Sequence, residues 1–287
     1  MRITGRYEPM NVWHAYEASL RLCFSHIPAL LLGVAVAIVP SQALLLILQS
    51  ATMPDVLTEQ YGSLFWQQTP RDVDIPSGEI TTWITGLVIG SLVVVLGLVL
   101  ATAAACVIVA EGWHGRTPTW RSAWAIVGRR AGPLAWLTFV GGLLVVVGLL
   151  LCILPGIWLG IAWSVAVPAL LFEEVRGTRA LERSFRLVRH RWWPTFGGLL
   201  LISATGWLLS APFAIPGFFI PAMTDDFYIG SSLQGTLSIL SNIISTPITA
   251  ALVTVFFFDL RARHELAATL PPETRQSPPP PPQSPSF

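Results

Sequence analysis

From Pro133 to Phe172 the chain runs for 40 residues without one charged side chain. As α-helix, rising 1.5 Å per residue, such a run measures roughly 60 Å, or two crossings of a hydrocarbon layer about 30 Å thick. The rest of the chain cannot shield it from water. Only 11% of the 287 residues are charged and 53% are hydrophobic, whereas soluble domains carry about 25% charged residues. A soluble enzyme and a disordered chain are both excluded by this composition. The fold class expected is all-α, a polytopic integral membrane protein.

Six spans are expected, at about 27–48, 84–110, 133–153, 157–172, 195–220 and 237–258. Together they make one membrane domain, residues 1–270. Pro40 predicts a kink in the first span, Pro212 and Pro216 sit near the far end of the fifth, and Pro247 breaks the sixth. Pro155-Gly156 divides the 40-residue run and reads as its turn. The half after it is short, so a re-entrant hairpin stands beside two full crossings. Residues 271–287 form a Pro-rich tail with polyproline character, unable to bury a core.

All 17 basic residues are Arg, and 16 of them fall in segments 1–26, 111–132 and 173–194 or after Phe258. The other loops hold Arg71 and seven acids. Basic loops stay on the cytoplasmic side, so both termini are expected in the cytoplasm and the protein in the inner (plasma) membrane. The 26 residues before the first apolar run are long for a signal-peptide n-region, so an uncleaved start is expected.

Two Arg-rich segments resemble each other at an offset of 61. Thr117 meets Thr178, Trp124 meets Phe185, Val127 meets Val188, Arg130 meets Arg191 and Pro133 meets Pro194. A fainter third copy lies at Ser19-Leu-Arg-Leu, against Ser184-Phe-Arg-Leu. The reading is three parallel units, each an interfacial helix, a proline and two spans; chance likeness between amphipathic helices is the alternative. Leu181, Phe185, Val188 and Trp192 form one apolar stripe, with Arg179, Arg183 and Arg186 on another side. That is the pattern of a helix lying in the headgroup plane. Arg179, Arg183, Arg186 and Arg191 are therefore the expected contacts to anionic headgroups or to a cytoplasmic partner.

Acids recur at the ends of the even spans: Glu111, Glu173 with Glu174, and Asp259. A carboxylate at a helix C-terminus opposes the dipole, so each should be offset by an arginine. Arg116, Arg176, Arg179 and Arg261 are close enough in sequence. Glu111, Glu173, Asp259 and Arg261 are thus expected in structural ion pairs.

Catalytic chemistry finds little to work with. The apolar spans lack ionisable side chains, the usual mark of proton relays and coupled transport. The five histidines are dispersed, without metal-ligand spacing. No phosphate-binding or nucleophile-elbow motif occurs. Cys23, Cys106 and Cys152 lie in or beside apolar stretches and read as buried free thiols. No cofactor, metal or nucleic acid is expected.

From Leu154-Pro-Gly onward a family resemblance emerges. Its elements are Pro155-Gly156-Ile157, Pro168 before Glu173, Ala180-Leu181-Glu182-Arg183-Ser184-Phe185-Arg186-Leu187-Val188, and Asp259-Leu260-Arg261-Ala262-Arg263. This is similar to the membrane domain of glycerophosphoryl diester phosphodiesterases, over roughly Pro133 to Glu265. In the fused enzymes the hydrolase site sits on a separate soluble barrel. The 29 residues after Phe258 are too few for one, so the resemblance implies no hydrolase activity here. The expected function is a non-enzymatic accessory or scaffold in envelope or lipid metabolism, touching membrane lipids and a cytoplasmic or membrane protein partner. The alternatives are a transporter or lipid-handling permease, with a cavity near Asn242 and Gln42, and an enzyme acting on headgroups through Glu111, Glu173 or Asp259.

Overall fold

The computed structural model describes residues 12–54, 76–173, 177–189, 192–224 and 226–269. Among them the elements are all helical: α1 (Val12–Ser25), α2 (Ile27–Thr52), α3 (Ser77–Trp113), α4 (Trp120–Leu151), α5 (Ile153–Ala162), α6 (Ala166–Phe172), α7 (Thr178–Arg189), α8 (Trp192–Met223) and α9 (Phe227–Thr269). Six stretches are long and apolar enough to cross a membrane: α2, α3, α4, α5 with α6, α8 and α9. The protein is a polytopic, all-α membrane protein.

The helices pair as three hairpins, α2 with α3, α4 with α5–α6, and α8 with α9. One end of the bundle gathers the hairpin feet. Phe258 packs near Trp113 and Phe172, with centroids 6.4 and 5.5 Å apart, so the last residues of α3 and α6 meet α9 at one level. A Cβ at Gly112 would meet the His26 ring, which puts the start of α2 there too. Gly198 against Phe256 does the same for α8. The arginine-rich segments all meet at this end, called here the arginine end.

Burial concentrates there. Ala101, Ala103 to Ala110, Val165, Ala166, Ala169 to Phe172, Ala250, Ala251 and Phe256 to Phe258 are buried. The alanines let the backbones of α3, α6 and α9 approach closely, which drives packing where lipid removes the hydrophobic advantage of burial. The most apolar window of α9 is 67% buried and that of α8 only 11%, so α9 is central and α8 peripheral.

The helices run through their internal prolines, and Pro247 does not break the last span. α2 runs unbroken through Pro40, α4 through Pro133 and α9 through Pro247. The segment 117–133 is therefore not a separate interfacial helix; it is the first part of α4, capped by Thr119, whose hydroxyl accepts from the Ser122 N–H. The turn in the 40-residue run is at Cys152, which is extended (φ −169°, ψ 140°), and not at Pro155-Gly156. Proline cannot donate to a preceding turn, but it fits a first turn, where the N–H has no partner anyway. So Pro155 opens α5 where it could not continue α4. Gly156 then allows the return: a Cβ there would sit 2.7 Å from the backbone nitrogen of Leu149. Pro168 breaks the run again, leaving the turn Trp163–Val165 between α5 and α6.

The three proposed units share an inward register. Ser19, Ala123 and Ser184 are all buried, and so, four residues on, are Cys23, Val127 and Val188. α1 packs on α9, the start of α4 on α3, and α7 on α6. Each amphipathic segment thus leans on an even span, the first closing the circle onto the last.

Cys23 and Cys106 are buried free thiols, as expected, but Cys152 is exposed at its turn. The loop 55–75, including Arg71, and the tail 271–287 lie outside the described residues.

Candidate functional site

The candidate site is built on α7. Its buried face is Ala180, Leu181, Ser184, Leu187 and Val188, with Phe185 half-buried. The stripe expected from sequence, Leu181, Phe185, Val188 and Trp192, was turned toward one side of the true one. Small Ala180 and Ser184 face inward because α7 lies close on its neighbour: the Ser184 hydroxyl donates to the Ala162 carbonyl at 2.8 Å. Phe185 meets Trp158 of α5 edge-on, 5.5 Å between centroids.

That rotation brings Arg183 inward. Its Nε donates to Oε2 of Glu173 at 2.5 Å and its Nη2 to Oε1 at 3.1 Å. The side chains are 19% and 10% exposed. Arg183 therefore turns inward and pins α7 to the end of α6. Arg261 of α9 approaches the same carboxylate, Nε to Oε1 3.9 Å, while donating to Glu265 at 2.8 Å. A relay Arg183–Glu173–Arg261–Glu265 ties α6, α7 and α9 together. Arg261 Nη1 is buried without an acceptor among the described residues.

The other expected pairs are arranged differently. Asp259 accepts from Arg263 one turn on, Nε to Oδ2 2.7 Å. Glu111 accepts from the Ser122 hydroxyl at 3.3 Å and, among the described residues, forms no salt bridge. Ser122 and Arg183 are equivalent at the offset of 61, so the two units solve one problem with different chemistry: a carboxylate closing an even span is met by the next amphipathic segment. Among the described residues Arg116 and Arg179 make no salt bridge to Glu111, Glu173 or Asp259, and Arg176 and Arg191 lie outside the described residues. Sequence reading overlooked Arg130, which donates from Nη1 to the Leu170 carbonyl and so serves the C-terminal end of α6.

What remains outward on α7 is Arg179, Glu182, Arg186 and Arg189, spaced by three and four residues and all exposed. The Arg186–Glu182 pair, at 3.9 Å and mostly solvent-exposed, contributes little. Trp193 follows at the surface. The result is a cationic face on a helix whose other face is fixed. Among the described residues no three His, Cys, Asp or Glu side chains converge as metal ligands. Between α1, α2, α8 and α9 runs a groove of about 300 Å³ walled by apolar side chains, among them Cys23, Leu30, Leu209, Ile244 and Pro247.

Residues 140–277 match the family model described as the membrane domain of glycerophosphoryl diester phosphodiesterase. Over that stretch, a little under half of its length, the chain is similar to the family. The match begins inside α4 and takes in α5 to α9. Within the matched stretch lie the relay from Arg183 to Glu265 and the cationic face of α7. Glu111 and Ser122 precede it. The chain matches no curated protein and no solved structure.

Proposed function

We propose that this protein is a non-enzymatic accessory or scaffold in envelope or lipid metabolism. It sits in the inner membrane with the arginine end and both termini in the cytoplasm, as the positive-inside bias favours. One observation carries the reading. Arg183 fixes α7 from below, so Arg179, Arg186 and Arg189 are presented on a rigid outer face at the membrane edge. Basic residues near an anionic surface contribute about 1 kcal/mol each, enough for three to hold an acidic protein segment or lipid headgroups. The carboxylates that an enzyme at this face would use are engaged: Glu173 by two arginines, Asp259 by Arg263 and Glu111 by Ser122.

The permease reading has one observation in its favour, the apolar groove under α1, which suits an acyl chain. Asn242, expected to line its cavity, donates its amide to the Ser238 carbonyl of its own helix.

The test is native mass spectrometry of the protein taken from its own membranes in mild detergent. The expected result is a stoichiometric protein partner, lost in an Arg179→Ala, Arg186→Ala, Arg189→Ala variant that still folds. A bound phospholipid or glycerophosphodiester without any protein partner overturns the scaffold reading in favour of lipid handling.

A further inference from the structure

We propose that the tip of the α4–α5 hairpin ends inside the bilayer, as a surface for the acyl chains of the leaflet opposite the arginine end. Three independent observations meet there. The first is length. Ring contacts set Phe172 and Phe258 level, and the Arg130 contact to Leu170 sets α4 at nearly the same level. From Phe172 back to Cys152 is 20 residues, about 30 Å at most; from Arg130 to Leu151 is 21 residues, about 32 Å. The other hairpins reach further. α2 rises about 39 Å from His26 to Thr52, and α9 about 48 Å from Phe258 back to Asp226. The tip thus stands about 10 Å short of one neighbour and nearly 20 Å short of the other. A common tilt shrinks all of these alike and keeps their order.

The second observation is chemical. Leu150, Leu151, Ile153 and Leu154 crowd the tip and are 68–82% exposed. The corresponding ends of the other hairpins carry Ser50, Thr52, Ser77, Glu79, Thr224 and Asp226. A turn in water would leave a contiguous apolar patch of the kind soluble surfaces avoid.

The third is backbone satisfaction. Irregular backbone is tolerated at membrane depth only where its polar groups find partners. Here the non-helical part is one residue, Cys152; its N–H donates to the Gly148 carbonyl at 3.0 Å, and Pro155 removes one of the donors that the first turn of α5 would leave without a partner. The Gly148–Gly156 crossing makes so short a turn possible.

Cys152 is a native probe, since Cys23 and Cys106 are buried. Full-length protein is reconstituted into phosphatidylglycerol-containing vesicles and treated with a charged, membrane-impermeant maleimide on both faces. A Glu79→Cys variant, altered at an exposed site near the end of α3, reports the aqueous rim. Expected is at least tenfold slower labelling of Cys152 than of Glu79→Cys, with full labelling of Cys152 after denaturation in SDS. Equal labelling of the two in intact vesicles overturns the proposal and places the tip in water. As a second measurement, quenching of a Trp placed by Ile153→Trp in a variant otherwise Trp-free near the tip is expected to be stronger with lipids brominated deep in the chain than with a water-soluble quencher. The reverse order overturns it.

Discussion

Replacing Arg183 with alanine should release α7. The wild-type pair makes two charge-assisted hydrogen bonds, at 2.5 and 3.1 Å, each contributing about 1.5–3 kcal/mol when fully engaged. Removing one partner of a fully buried pair costs about 3–5 kcal/mol, because the other charge is left uncompensated. Two features reduce that here. The side chains keep 19% and 10% exposure, and Arg261 still stands 3.9 Å from Glu173. The expected loss is about 2–3 kcal/mol for Arg183→Ala, and about 1 kcal/mol for Arg183→Lys, which keeps charge but not the fork. Reversible unfolding in mixed micelles, followed by circular dichroism, measures it. A cycle with Glu173→Ala isolates the pair, with a coupling of at least about 1.5 kcal/mol expected. Coupling below about 0.5 kcal/mol would mean that water screens the pair, and that α7 is held by Leu181, Leu187 and Val188 alone.

Gly156→Ala should weaken the α4–α5 hairpin by about 1–3 kcal/mol, since its Cβ would lie 2.4 Å from Leu149 Cγ and the backbone leaves no room to yield; an unchanged unfolding midpoint would refute the close crossing. Ser184→Ala removes the bond to Ala162, and Trp124→Phe removes the 2.9 Å bond from Nε1 to the Gly33 carbonyl. Each should cost about 0.5–1.5 kcal/mol in the same assay, and a stabilised variant would contradict the geometry. Arg179→Ala, Arg186→Ala and Arg189→Ala together should leave stability within about 0.5 kcal/mol, because these side chains are exposed, while abolishing the stoichiometric partner seen by native mass spectrometry. Retention of that partner by the variant would remove the face from function.

The class and the spans were legible in the sequence because a bilayer makes a coarse demand: about twenty apolar residues per crossing, whatever their order. The placement of arginine at one end was legible for the same reason. The repeat was legible only as a matching of types, and the structure gave it meaning by turning Ser19, Ala123 and Ser184 to the same inward register. The ion pairs were legible as a need. Glu173 had to find a cation at a helix C-terminus; among the described residues its two-bond partner is Arg183, ten residues on, with the expected Arg261 3.9 Å away. Nothing in α7 alone distinguishes Arg183 from Arg186.

By itself, then, the sequence determined that the chain is a membrane-embedded all-α protein with its arginines gathered at one end, since transfer free energy depends on composition over twenty-residue windows. Only the tertiary structure decided which arginine locks the fold and which face outward. That choice depends on the rotation of one twelve-residue helix, set by small side chains fitting against α5 and α6. It also decided where the longest apolar run turns. The turn lies where Pro155 can start a helix and two glycines can touch, a matter of backbone contact between segments that periodicity within either one does not record.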